Sequence, residues 1–389
     1  MKPIVIDQNA IRSENRRRIL HLLVRERELT ILEISQALEI SIPTVTKNIN
    51  QFIAEGIAEE AGTSASTGGR RPAIIRFLPN AYYSIGVEFS AERVIRIVLA
   101  NLDSHIEDSL NLVCPDFQDM PSIMASICEQ INATLNERHI SLKHVLGIGF
   151  ALPGTVNEDR KFLYAAPSLG IGQILFSDYE ALFRLPIFVE NDANAAVMAE
   201  LALGDLPAMK NVVFLSILPH SIRGGIVVGG HLYHGCNKRA GKFSHIAIAL
   251  DGAPCSCGRS GCWESFASIN ALLGMYRERT GASASVDGIF ARMKAGEATA
   301  QQTLDQYANY VAIGIRNILL IQDPHYVILG GVLSRFEEEF LPLLREKIFS
   351  GHAILQQDDV QIICASLKED AAILGAALLP LEKIYTAHE

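Results

Sequence analysis

Three cysteines, Cys255, Cys257 and Cys262, stand within eight residues in the spacing C-x-C-x4-C. The chain has seven cysteines, an odd number, and in a reducing compartment such crowding points to a metal ion rather than to disulfides. Three thiolates so spaced wrap one tetrahedral ion at about 2.3 Å each, and an imidazole nitrogen at about 2.0–2.1 Å fits the fourth position. Three buried free cysteines are the alternative. A second concentration of chemistry is cationic. Arg12, Arg16, Arg17 and Arg18 lie near the N-terminus, and Arg70 and Arg71 tip the run Thr67-Gly68-Gly69-Arg70-Arg71-Pro72. Planar guanidiniums on a flexible turn can reach phosphate or a minor groove.

The elements that must carry these arginines follow from apolar spacing. Ile11, Ile19, Leu22 and Leu23 fall on one side of a helix over residues 9–28, with the arginines mostly off it. Thr30 with Glu33 makes a capping box, and Ile31, Ile34, Ala37 and Leu38 form the buried stripe of a second short helix. Ser41 offers an N-cap and Pro43 suits the first turn of a third helix, which buries Val45, Ile49, Phe52 and Ile53 before Gly56 stops it. Helices two and three are only a few residues apart, the geometry that presents a helix to the major groove. The third helix turns Thr44, Thr46, Lys47, Asn48 and Gln51 outward. Thr44, Thr46, Asn48 and Gln51 suit base edges; Arg16, Arg17, Lys47, Arg70 and Arg71 suit phosphates or the minor groove. Strands at 57–60 and 73–77 around the glycine–arginine turn complete a winged helix-turn-helix. A helical protein-interaction domain with solvated arginines is the rival.

Charge divides the chain the same way. Its 389 residues carry 34 Lys+Arg against 43 Asp+Glu, yet residues 1–79 hold 11 against 9, leaving 23 against 34 for residues 80–389. Only the head is suited to approach a polyanion. With 49% apolar and 20% charged residues the composition is that of a folded globular protein of two or three domains. No run of eighteen apolar residues and no apolar leader occur, so the expectation is a cytoplasmic protein without membrane insertion.

Beyond residue 79, short β-branched runs (82–88, 93–100, 145–151, 186–189, 212–218, 225–228 and 326–329) alternate with helical patterns (122–138, 192–203, 265–279, 300–320, 336–348 and 371–386). This alternation predicts an α/β fold, and 310 residues suggest two lobes with a ligand cleft between them.

The run Gly241-Lys242-Phe243-Ser244-His245 followed by Cys255-Ser256-Cys257-Gly258-Arg259-Ser260-Gly261-Cys262-Trp263-Glu264 resembles the zinc signature of the ROK family, whose members are repressors, open reading frames and sugar kinases. Glu190-Asn191-Asp192-Ala193-Asn194-Ala195-Ala196, Leu152-Pro153-Gly154, and Asp323-Pro324 leading to Leu329-Gly330-Gly331 match other motifs of that family. The resemblance covers residues 80 to 389, and the winged head resembles that of the repressor branch, which includes repressors of xylose, glucose-transport and N-acetylglucosamine genes. It implies a two-lobed, actin-like sugar-kinase fold: a first lobe at 80–190 to which the C-terminal helix 371–386 returns, and a second lobe at 191–370 with the zinc loop.

By that resemblance His245 is the fourth ligand of one structural Zn2+ held by Cys255, Cys257 and Cys262. Asn191, Asp192, His245 and Glu264 would bind sugar hydroxyls, with Asp192 in the position of a kinase's general base. Asn191 and Asp192 can equally be caps of the helix that begins there. Two departures matter. The family's acid before the zinc histidine is Lys242 here. The phosphate-cradling glycines of kinases are replaced by Glu88-Phe89-Ser90-Ala91-Glu92 and His220-Ser221-Ile222-Arg223-Gly224. The expectation is therefore a regulator, a repressor of carbohydrate genes that binds operator DNA as a homodimer or homotetramer and senses a sugar or sugar phosphate, without kinase catalysis. An active sugar kinase carrying a DNA-binding head, and a body that answers to a protein partner, are the alternatives.

Overall fold

The computed structural model describes residues 8–63, 72–90, 93–114, 116–204, 209–250, 252–351, 354–381 and 384. The head consists of α1 (Gln8–Glu26), β1 (Glu28–Thr30), α2 (Ile31–Leu38), α3 (Ile42–Ala54), β2 (Ala58–Thr63) and β3 (Ala73–Phe77). The expected capping box sets the start of α2: the Thr30 hydroxyl accepts from the Glu33 N–H at 3.2 Å, and Glu33 accepts from the Thr30 N–H at 2.7 Å. Ser41 sits at the N-cap of α3 but pairs its hydroxyl with that of Thr44 at 2.9 Å instead of with backbone. Strand β1 was not expected. Three residues are too few to give an alternation, and tertiary pairing with β3, in the sheet order β1-β3-β2, creates it.

The body begins with β4 (Tyr83–Phe89), β5 (Val94–Asn101), β6 (Ile106–Val113), α4 (Met120–Glu137), β7 (Val145–Leu152), β8 (Thr155–Asn157), β9 (Phe162–Ala165), β10 (Ile174–Leu175), α5 (Glu180–Phe183) and β11 (Ile187–Asn191). Its main sheet has the order β11-β7-β4-β5-β6, with β8, β9 and β10 forming a small antiparallel sheet beside it. The second lobe contains α6 (Asp192–Leu203), β12 (Val212–Ile217), β13 (Ile222–Val228), β14 (His231–Leu232), α7 (Glu264–Ala267), α8 (Ile269–Thr280), α9 (Val286–Lys294), α10 (Ala298–Gln322), β15 (Tyr326–Gly331), α11 (Glu337–Phe349) and β16 (Gln361–Cys364). These strands run β14-β13-β12-β15-β16. Helix α12 (Ala371–Leu378) lies against β4, β5 and β7 and packs on α6, which in turn lies on β12 and β13.

This helix pair is the seam of the body, and small residues make it close. A Cβ on Gly375 would collide with the Ala195 carbonyl, and one on Gly149 with the Ala376 carbonyl. Each lobe keeps its own apolar core, while the head core, around Ile19, Leu23, Ile34, Ile49 and Phe52, also takes in Leu102, Leu381 and Ile384 of the body.

Two expected helices differ. Within the pattern over 371–386 the helix Ala371–Leu378 gives way to a 3-10 turn at Leu379–Leu381, where Pro380 has no N–H with which to extend the ladder, and Ile384 is helical again. The pattern over 265–279 is two helices, because Ser268 is extended and caps α8 by accepting from the Ala271 N–H. The strands β6, β8–β10, β14 and β16 and the helices α5 and α9 lie outside the patterns expected from the sequence.

Candidate functional site

Two of the residues expected to meet the effector stand at the start of α6. Asn191 is its N-cap: Oδ1 accepts from the N–H groups of Ala193 at 3.2 Å and Asn194 at 3.4 Å, while Nδ2 donates to the Gly154 carbonyl at 3.0 Å. The capping role is therefore realised. Asp192 is 3% exposed; its Oδ1 accepts from the Ala193 N–H at 2.9 Å, and its Oδ2 is ion-paired with Arg223 of β13. Glu190 is engaged on both oxygens as well, taking the Asn191 N–H and Asn194 Nδ2 on one and His234 Nε2 on the other, at 2.7, 2.9 and 2.9 Å.

Three cations reach the first lobe from one loop of the second, four residues apart. His234 meets Glu190 and Glu158, Lys238 bridges Glu158 and Asp159, and Lys242 Nζ donates to the Gly154 carbonyl at 2.5 Å. Their charges respond to these surroundings. The Glu190 hydrogen bond raises the pKa of His234. Burial lowers that of Arg223 to about 10 against the attraction of Glu88, and burial together with Arg223 lowers that of Lys242 to about 8. Arg223, His234 and Lys238 were not singled out as site residues by sequence reasoning. An arginine within a glycine loop and the period-four spacing of 234, 238 and 242 were the available signals.

His245 and Glu264 belong to a different cluster. Glu264 Oε1 accepts from Cys255 Sγ at 3.0 Å and lies 3.8 Å from His245 Nδ1. Among the described residues no hydrogen bond or ion pair ties either one to Asn191 or Asp192. One ligand atom from each of His245, Cys255, Cys257 and Cys262 lies within 4.8 Å of all the others, with Cys257 and Cys262 sulfurs 3.6 Å apart and Cys255 Sγ 3.5 Å from His245 Nδ1. A tetrahedral ion with Zn–S near 2.3 Å has ligands about 3.7 Å apart, so this donor set fits a metal. Backbone donation from Arg259 holds the Cys257 thiol down, to about 7, while burial pushes Cys255 up to about 12 and raises Cys262. Gly258 and Gly261 turn the loop at φ +85° and +76°, and a Cβ on Gly261 would strike the Ala249 carbonyl.

On the head, Lys47 and Arg17 are exposed, and Thr44, Thr46, Asn48 and Gln51 are half-buried on α3. Thr46 donates to the Ile42 carbonyl and Asn48 to that of Thr44, both at 2.8 Å, and Gln51 holds Glu55. Arg16 requires a correction: it is 1% exposed, lies over the Phe52 ring at 4.6 Å, pairs with Glu55 at 2.5 Å and donates to the Ile384 carbonyl at 2.8 Å. It cannot reach a phosphate. Helical periodicity placed it off the apolar stripe; the body supplied a second buried face. Arg70 and Arg71 lie outside the described residues.

Residues 85–383 match the family model described as the ROK family, and residues 12–59 match the winged helix-turn-helix DNA-binding model. A xylose repressor of Bacillus subtilis (strain 168) is 26% identical over 383 residues, which cover 97% of each chain. A ROK family transcriptional regulator, a homolog of the E. coli MLC protein, superposes with TM-score 0.80 at 21% identity, covering 97% of both chains. A ROK family glucokinase from Streptomyces griseus, in complex with glucose and AMPPNP, superposes with TM-score 0.64 at 26% identity, covering 76% of this chain and 98% of its own.

Proposed function

Since the chain belongs to the ROK family through residues 85–383, we propose that it is a DNA-binding transcriptional repressor whose kinase-derived body senses a sugar or sugar phosphate and performs no phosphoryl transfer. The winged head at residues 1–79 grips an operator, as part of a homodimer or homotetramer in which paired heads read symmetric half-sites. Thr44, Thr46, Asn48 and Gln51 stand nearest base edges; Arg17 and Lys47, with Arg70 and Arg71 of the wing turn, take phosphates or the minor groove. Asn191 and Asp192 face the effector in the cleft, and the protein works in the cytoplasm, where operators are.

The observation that carries the non-catalytic reading is the ion pair between Asp192 and Arg223. A general base must offer its lone pair to the hydroxyl it deprotonates. Here one oxygen of the carboxylate serves a guanidinium and the other the helix backbone, and the guanidinium stands in the segment 220–224, which resembles the kinases' phosphate loop but keeps one of its three glycines. We assign Zn2+ to His245, Cys255, Cys257 and Cys262. The ion supplies a closed, folding-coupled crosslink with no open position for water, and the side chains' part is to hold that loop and its neighbour Glu264 in place.

Effector and operator are linked through the seam. Asp192 opens α6, α6 packs on α12, and the chain after α12 reaches Leu381 and Ile384 in the head core. A ligand that favours one arrangement of the lobes biases the heads by that route. The test is footprinting on the gene's own upstream DNA at stated salt while sugars and sugar phosphates are titrated, alongside an ATP-dependent phosphorylation assay on the same panel. Sequence-specific protection altered by one sugar, with no turnover, is the expected result. Turnover that disappears in Asp192→Asn establishes the kinase instead, and protection that answers only to a protein partner removes the sugar.

A further inference from the structure

We propose that the cleft takes an acidic carbohydrate, with its carboxylate or phosphate held between Arg223 and Lys242. The proposal rests on the sugar-sensing reading above and narrows it to a chemical class.

The two cations are neighbours by construction. Gly224 and Gly241 pack backbone against backbone, so closely that a Cβ on either one would meet the carbonyl oxygen of the other. Arg223 precedes the first glycine and Lys242 follows the second, and at the α6 N-terminus the guanidinium meets Asp192 while the ammonium meets the Gly154 carbonyl that Asn191 also holds. Arg223 is 16% exposed and Lys242 is partly buried.

The balance of donors and acceptors then selects the ligand. A sugar hydroxyl donates one hydrogen bond and accepts others, so a site for neutral sugars needs free acceptors. Asp192 is engaged on both oxygens, by Arg223 and the Ala193 N–H, the Asn191 carbonyl serves the helix, and Glu190 is engaged on both oxygens by Asn191, Asn194 and His234. Glu158 Oε2, beside His234 and Lys238, is a buried acceptor left over, but beside Asp192 the group left over is a donor. Arg223 Nη2 is buried with no hydrogen-bond partner. Lys242 Nζ has three N–H groups, its hydrogen bond goes to Gly154, and among the described residues no carboxylate lies within 4 Å of it. Buried donors without acceptors are costly, and two like charges side by side add repulsion. Glu88 attracts Arg223 but is also 3.6 Å from Arg96, and Glu190 attracts Lys242 only at longer range. A ligand anion removes both penalties, with charge-assisted hydrogen bonds to a planar fork and a compact ammonium.

The test is titration calorimetry on the full-length, metal-loaded protein with four arms: neutral aldoses, the uronic and aldonic acids derived from them, their phosphate esters, and inorganic phosphate. An acid or ester that binds about tenfold or more tightly than its neutral parent, the worth of one well-placed charged hydrogen bond, is expected. The preference should vanish in Lys242→Met and invert toward the neutral sugar in Lys242→Glu. Binding in the uronic and aldonic arm assigns a carboxylate, and binding in the ester arm a phosphate. A neutral parent that binds wild type as well as its acid overturns the proposal and leaves sugar sensing intact. Inorganic phosphate binding as tightly as any sugar acid overturns the carbohydrate. Heat from none of the four arms overturns the proposal and the sugar-sensing reading together. The wild-type arms decide even where a variant fails to fold.

Discussion

Arg16, on the first helix, donates through Nε to the carbonyl oxygen of Ile384 at 2.8 Å across 368 residues of sequence. The first and last described elements of the chain are thereby fastened together, with the guanidinium buried over Phe52 and its other end on Glu55. Arg16→Met should therefore lower stability by about 3 kcal/mol, since it leaves a carbonyl and a carboxylate without their partner. Urea unfolding measures this, and the salt slope of operator binding should be unchanged. A reduced slope with unchanged unfolding would return Arg16 to the DNA surface.

Lys47 makes the opposite prediction. Exposed on α3, it is expected to contribute to binding and not to folding. Lys47→Ala should reduce the slope of log affinity against log salt by about one unit and leave the unfolding midpoint within about 0.5 kcal/mol of wild type. Filter binding at several salt concentrations reads the first quantity.

The metal cluster predicts a chelator-sensitive fold in the second lobe. Cys257→Ser or Cys262→Ser should lose the stoichiometric metal in elemental analysis and lower the melting temperature as much as chelation does. Cys236→Ser, an exposed cysteine outside the cluster, should change neither. A fully metallated Cys262→Ser protein would reject the ligand set.

His234 ties the lobes together in a pH-dependent way. Its folded pKa is raised, first by the Glu190 hydrogen bond, so the protonated form is stabilised by folding. That contribution is complete below the unfolded value near 6.5 and is lost as pH rises through the higher folded value. Wild type should thus lose stability relative to His234→Gln between pH 6 and the folded pKa, and NMR titration of the imidazole locates the midpoint. A midpoint below 6.5 would contradict the latch.

The seam between α6 and α12 tolerates no side chain at Gly375, where a Cβ would enter the Ala195 carbonyl. Gly375→Ala should cost about 2–3 kcal/mol. Gly274→Ala, in helix α8 with nothing within 4 Å, should be neutral or stabilising by up to about 1 kcal/mol.

Local chemistry was legible without coordinates. Thr30 and Glu33 define a cap within four residues, Val45, Ile49 and Phe52 define a buried stripe within eight, and Cys255, Cys257 and Cys262 define within eight a loop that could hold a metal. Each of these depends on atoms that the chain's own short-range geometry brings together. Tertiary structure decided everything that needed a distant partner. It buried Arg16, which the helical pattern had left facing solvent, because Ile384 covers it. It made β1 a strand because β3 lies beside it, and joined Asp192 to Arg223 across 31 residues. Burial and ion pairing are properties of what packs from outside a segment, and no periodicity within that segment encodes them.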